Sequence, residues 1–96
     1  MKITPPDGNI FSDLGFDGEE AENLLIRSRL MTEIERHVAR SGLTQAQAAK
    51  LFGVTQPRMS DLRRGKIHLF SVDTLIAMLS RAGMKVDVKV RKKKAA

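Results

Sequence analysis

The sequence predicts a mainly α fold, a compact bundle of four to five helices with one C-terminal β-strand. Three observations predict it. Leu30, Ile34 and Val38 recur every four residues with Met31 alongside, which marks one buried stripe of a long helix. Three later segments each follow a Thr or Ser and end at a glycine, with starts near Thr44, Thr55 and Ser71 and stops at Gly53, Gly65 and Gly83. Finally, Met84, Val86, Val88 and Val90 alternate with Lys85, Asp87 and Lys89, the period-two pattern of a half-buried strand.

Taken in order, residues 1–8 carry Pro-Pro and Asp-Gly punctuation and predict a turn or a flexible end. Residues 9–16, NIFSDLGF, hold Ile10, Phe11, Leu14 and Phe16, too few residues for an isolated helix and too apolar to stay solvated. They either cover the protein's own core or bind a partner. Asp17 reads as an N-cap with Glu20 three residues on, and Glu19, Glu20 and Glu22 place negative charge at the positive end of the helix dipole. That helix is expected to run to Ser41, stop at Gly42, and break phase near Ile26 to Ser28. Next, Thr44 and Gln47 have the spacing of a capping box, and Leu43 before the cap can staple onto Ala48, predicting a helix over 45–52. Gly53 supplies a left-handed turn, and a further helix starts at Thr55 or Gln56, tolerates Pro57 in its first turn, and ends at Arg64. Lys66 to Phe70 reads as a loop, Ser71 caps a last helix bearing Leu75, Ile76 and Leu79, and the strand spans 84–90. The organisation is therefore an N-terminal arm over 1–16, a domain over 17–90 and a basic tail over 91–96.

Composition narrows the function. Ninety-six residues, 42% of them hydrophobic, build one core and leave little room for an enclosed catalytic cavity. With no cysteine there is no disulfide, thiolate nucleophile or cysteine zinc site, and a reducing cytoplasm is compatible. No apolar run approaches the roughly 18 residues that span a bilayer, and the prolines of Met1 to Ile10 interrupt any signal-peptide core, so a soluble, cytoplasmic protein without a membrane partner is expected. Residues 1–42 carry five Lys/Arg against eight Asp/Glu, a net of −3, whereas residues 43–96 carry twelve against three, a net of +9. Such a basic half favours a polyanionic partner through phosphate contacts and counterion release.

Two short helices joined by a glycine turn suit double-stranded DNA, because one helix fits the major groove while the other braces it against the backbone. Ala48 and Ala49 permit the close crossing, and Val54, Met59 and Leu62 form the inward side of the second helix. What remains outward is Gln56, Arg58, Ser60, Asp61, Arg63 and Arg64, a polar set rich in donors.

Residues 43–65, LTQAQAAKLFGVTQPRMSDLRRG, resemble the helix-turn-helix of Xre/Cro-class phage-type repressors. Together with NIFSDLGF, FSVDTL and the terminal valine segment, they are similar to short Xre-type antitoxins encoded beside RelE/HigB-like toxins. The resemblance implies autorepression as a dimer and binding of a ribonuclease toxin. It also implies that Gln45 contacts phosphate and braces the recognition residues, while Thr55, Gln56 and Pro57 begin the groove-facing helix. Gln56 is the first choice for a base contact, since an amide pairs bidentately with adenine. Arg58 and Arg63 are suited to guanine or to phosphates, Ser60 to a close approach, and Arg64 and Lys66 to the backbone. Asp61 either accepts from cytosine or pairs locally with Arg58 or Arg64.

Other chemistry lacks its residues. His37 and His68 are the only histidines and have no ligand cluster near them in sequence, so no metal or other cofactor is expected. No nucleophile elbow, oriented base or glycine-rich phosphate loop accompanies the serines, which argues against an enzyme. The lysines of the tail serve solubility or add phosphate contacts. A lone strand cannot satisfy its own ladder, so Met84 to Val90 is expected to pair with its copy in a homodimer, the alternative being the Ile10 region of the same chain. Two further readings stand beside the antitoxin: a stand-alone phage-type or host repressor, and a protein-interaction domain that retains the fold.

Overall fold

A computed structural model describes residues 9–92. Among these residues the chain forms α1 (Ile10–Asp13), α2 (Gly18–Ser41), α3 (Gln45–Phe52), α4 (Gln56–Arg63), a 3-10 turn (Ile67–Leu69) and α5 (Val72–Arg81). The sequence rules for helix ends account for the starts of α2 to α5. The Asp17 carboxylate accepts from the Glu20 amide at 2.9 Å, and the Thr55 and Ser71 hydroxyls accept from the amides of Arg58 and Thr74. At α3 the box is complete: the Gln47 amide donates to Thr44 Oγ1 at 3.1 Å while the Thr44 amide donates to Gln47 Oε1 at 2.9 Å. Each cap satisfies an amide that has no partner inside its helix and is worth about 1 kcal/mol. The stops at Gly42 and Gly53 are left-handed, with φ of 63° and 72°.

α2 is continuous, and the expected break near Ile26 to Ser28 does not occur. Ala21, Leu24, Met31, Ile34 and Val38 are its buried residues and fall on one stripe along its length. The apparent change of phase came from Ile26, which is apolar yet 44% exposed and lies off that stripe. Met31, not Leu30, is the buried member of its pair, with Leu30 at the margin.

One core joins the elements. Met31, Ile34 and Val38 of α2 meet Ala48, Ala49 and Phe52 of α3, Met59 and Leu62 of α4, and Leu75, Met78 and Leu79 of α5, with Phe70 among them. Residues 66–70, expected as a plain loop, contain the 3-10 turn, and Phe70 at its end is fully buried. The short α1 packs on α2, where Phe11 meets Phe16 edge-on at 6.2 Å, while Ile10 and Leu14 stay exposed. Phe11 and Phe16 are thus half-buried, whereas the rest of the segment's large apolar side chains face outward.

The C-terminal strand is not found among the described residues. After α5, Met84 and Val86 pack against the core and the Met84 amide donates to the Leu79 carbonyl at 3.0 Å, but residues 84–92 carry no ladder. A strand exists only when a second strand accepts its hydrogen bonds, and the Ile10 region, the one alternative within the chain, is helical. Val88 and Val90 are left 78% and 89% exposed. No helix among the described residues is long and apolar enough to cross a membrane.

Candidate nucleic-acid interface

α3 and α4 cross closely because the residues at their contact are small: Ala48 and Ala49 are buried, and the turn between the helices passes through Gly53. The Val54 amide donates to the Ala49 carbonyl at 2.9 Å and the Gly53 amide to the Lys50 carbonyl at 3.3 Å, closing the end of α3. A Cβ at Gly53 would come within 2.5 Å of Arg81 Cδ, so the α5 arginine lies over this turn.

α4 turns Met59 and Leu62 inward, both buried, and leaves Gln56 and Pro57 exposed, with Arg64 and Lys66 just beyond its C-terminal end also exposed. Ser60 and Asp61 are half-buried on the same helix. Thr55 is exposed and caps the helix, its hydroxyl accepting from the Arg58 amide at 3.3 Å. This places a helix N-terminus, with its partial positive charge, beside Gln56 and Pro57.

The two flanks of α4 are held differently. On one, the Gln45 amide Nε2 donates to the Gln56 carbonyl at 3.4 Å, and Arg63 donates through Nη1 to Gln45 Oε1 at 3.3 Å and through Nε to Glu35 Oε1 at 3.0 Å. The structure therefore brings Gln45, Gln56 and Arg63 together. On the other flank, Arg58 is half-buried with its guanidinium carbon 4.2 Å from the centroid of the Phe70 ring, a cation–π contact that restricts its reach. Asp61 pairs with neither Arg58 nor Arg64; its carboxylate lies 3.3 Å from Lys66 Nζ. The expected outward set thus divides into an open group, a group braced against α2 and α3, and an arginine laid over the core.

Two participants were missed by the sequence reading, and only one of them carried a local signal. Glu35 lies 28 residues from Arg63 in the chain, and only packing of α2 against the motif brings them together. Phe70 had a usable signal, since it precedes the Ser71 cap while Leu75 follows the cap by four positions, the spacing of a hydrophobic staple. His37 is half-buried with its ring edge-on to Phe52 at 6.1 Å. Among the described residues no group of three His, Asp or Glu side chains gathers to hold a metal ion.

Comparison with known proteins agrees with this geometry. Residues 10–91 match a helix-turn-helix domain family. A solved structure described as an XRE family transcriptional regulator superposes with a TM-score of 0.73 at 35% sequence identity, over 80% of this chain and 90% of that one. No curated protein matches the chain.

Proposed function

The chain belongs to the helix-turn-helix domain family, in its XRE-type branch, and on that premise we propose that it is a sequence-specific, non-enzymatic transcriptional regulator that binds duplex DNA in the cytoplasm as a homodimer. The observation that carries this reading is the division of α4, with Met59 and Leu62 buried and Gln56, Pro57 and the following Arg64 and Lys66 exposed beside a braced N-terminus. A face so composed is donor-rich, lies on a rigid element, and belongs to the half of the chain with a net charge of +9.

Within that reading Gln56 contacts a base edge, Thr55 and Pro57 set the start of the groove-facing helix, and Ser60 approaches a base or phosphate closely. Gln45 holds a phosphate while bracing Gln56. Arg64 and Lys66 bind the DNA backbone, Asp61 keeps Lys66 in place, and Arg58, restricted by Phe70, serves a phosphate at the edge of the site rather than a guanine. The dimer forms by antiparallel pairing of 84–90 with its copy. The alternation of its residues, the exposure of Val88 and Val90, and the lack of a ladder partner among the described residues support this. The finer role is that of an autorepressing antitoxin for a RelE/HigB-like toxin. It rests on the resemblance of the motif and of NIFSDLGF, whose Ile10 and Leu14 remain exposed for a partner. A stand-alone regulator is the competing role.

Selection of duplexes from a random pool tests the DNA reading. The protein is expected to enrich a palindromic site and to prefer it over a scrambled duplex by at least about a thousandfold at physiological salt. Equal competition by the two duplexes would defeat the proposal. Co-expression with the adjacent gene separates the two roles: a stable complex with a small basic partner supports the antitoxin, and its absence leaves the stand-alone regulator.

A further inference from the structure

We infer that Glu35, on α2 and outside the helix-turn-helix segment, is a positioning residue for DNA recognition: it holds the Arg63 guanidinium against Gln45 and thereby fixes the start of the recognition helix. The inference rests on the DNA-binding reading above. Its basis is a chain of contacts that crosses three helices, from Glu35 Oε1 to Arg63 Nε at 3.0 Å, from Arg63 Nη1 to Gln45 Oε1 at 3.3 Å, and from Gln45 Nε2 to the Gln56 carbonyl at 3.4 Å. Both ends of the Gln45 amide are engaged, so its orientation is set by what lies on either side of it. Arg63 can supply that constraint because its planar fork bonds two acceptors at fixed angles, which an ammonium does not.

The pair is a poor device for stability and a good one for position. With side chains 38% and 41% exposed, Arg63 and Glu35 are well screened by water, and such pairs add little to folding. Yet a long side chain immobilised before its ligand arrives no longer has to be ordered during binding. Glu35 is also an acid close to a surface meant for phosphates. Charge alone makes its removal tighten binding to every DNA, whereas loss of positioning weakens discrimination between sequences. The two effects have different signatures.

The experiment uses a duplex enriched from a random pool by the wild-type protein and a scrambled duplex of the same composition, with thermal unfolding of each variant as a check on folding. Glu35→Ala is expected to reduce the ratio of the two affinities about five- to tenfold, the scale of one freed side chain. Glu35→Gln, which keeps the acceptor and drops the charge, holds the ratio within about twofold. Arg63→Lys keeps the charge and loses the fork, and it is expected to repeat the Glu35→Ala loss, which covers the case in which the alanine variant folds poorly. An unchanged ratio in Glu35→Ala and Arg63→Lys, or equal tightening on both duplexes, overturns the inference. A readout free of DNA accompanies it: the Arg63 Nε–H proton should exchange slowly in the wild type and in Glu35→Gln and rapidly in Glu35→Ala. Rapid exchange in the wild type defeats the positioning role even if a site is enriched, while failure to enrich any site defeats the functional reading on which it stands.

Discussion

Replacing Gly53 by alanine tests the turn on which the whole motif depends. Gly53 has φ of +72°, a region that costs an L-residue about 1–2 kcal/mol. Against this, alanine narrows the unfolded ensemble and recovers about 0.4–1 kcal/mol. The new Cβ also lies 2.5 Å from Arg81 Cδ, which forces that side chain aside. Because Arg81 is long and exposed, its displacement falls at the low end of overpacking costs, about 1 kcal/mol. The net expectation is a loss of about 1–2.6 kcal/mol, a fall in Tm of roughly 4–21 °C for a domain of this size. A double-mutant cycle with Arg81→Ala isolates the steric part: Gly53→Ala in that background should cost only the backbone part, about 1 kcal/mol less. Denaturant unfolding measures all four proteins. A Gly53→Ala variant as stable as the wild type would refute the left-handed turn, and a cycle with no coupling would refute the placement of Arg81 over it.

Gln56→Ala should weaken the selected site by about 1–3 kcal/mol and relax preference at one base pair, whereas Arg64→Ala should weaken all sequences alike and reduce the salt slope, as titrations over a salt series will show. Phe70→Leu keeps an apolar group in the core but removes the ring beneath Arg58; thermal unfolding should register a loss of about 1–2 kcal/mol, and the non-additivity of Phe70→Leu with Arg58→Ala should reveal a coupling of about 0.5–1 kcal/mol. Val88→Pro removes an amide from the proposed inter-subunit ladder and should give a monomer in sedimentation with poor affinity for a palindromic site; an unchanged dimer would exclude pairing through this segment.

Local features were legible in the sequence and distant ones were not. The caps at Asp17, Thr44, Thr55 and Ser71 could be read because each bond joins residues three apart. The inward placement of Met59 and Leu62 followed in the same way from helical period. Arg63, Arg58 and Asp61 behaved otherwise. The two arginines looked equivalent on one polar face, yet tertiary packing gives Arg63 the partners Glu35 and Gln45 and Arg58 the Phe70 ring, while Asp61, expected to accept from cytosine or to pair with Arg58 or Arg64, pairs with Lys66 just beyond the helix. The unbroken course of α2 was obscured because Ile26 is apolar by type but exposed by position. A strand at 84–90 is a different matter again, since alternation describes the faces of a segment and says nothing about who supplies its hydrogen bonds.

These differences bear on how the interface works. An eight-residue helix does not persist in water by itself, so α4 owes its existence to Met59 and Leu62 seated among Phe52, Phe70 and α5. The same seating fixes which side chains remain outward, and it makes the reading face as rigid as the core beneath it. The acidic half of the chain then has a part in the basic half's task. α2 contributes Ile34 and Val38 to the support of the motif from below and, one residue after Ile34, Glu35 to its flank. A helix that lies outside the recognition segment thereby bonds that segment's Arg63, which in turn bonds Gln45 of α3. If Glu35 positions Arg63 as inferred, sequence preference is a property of three helices, not of α4 alone.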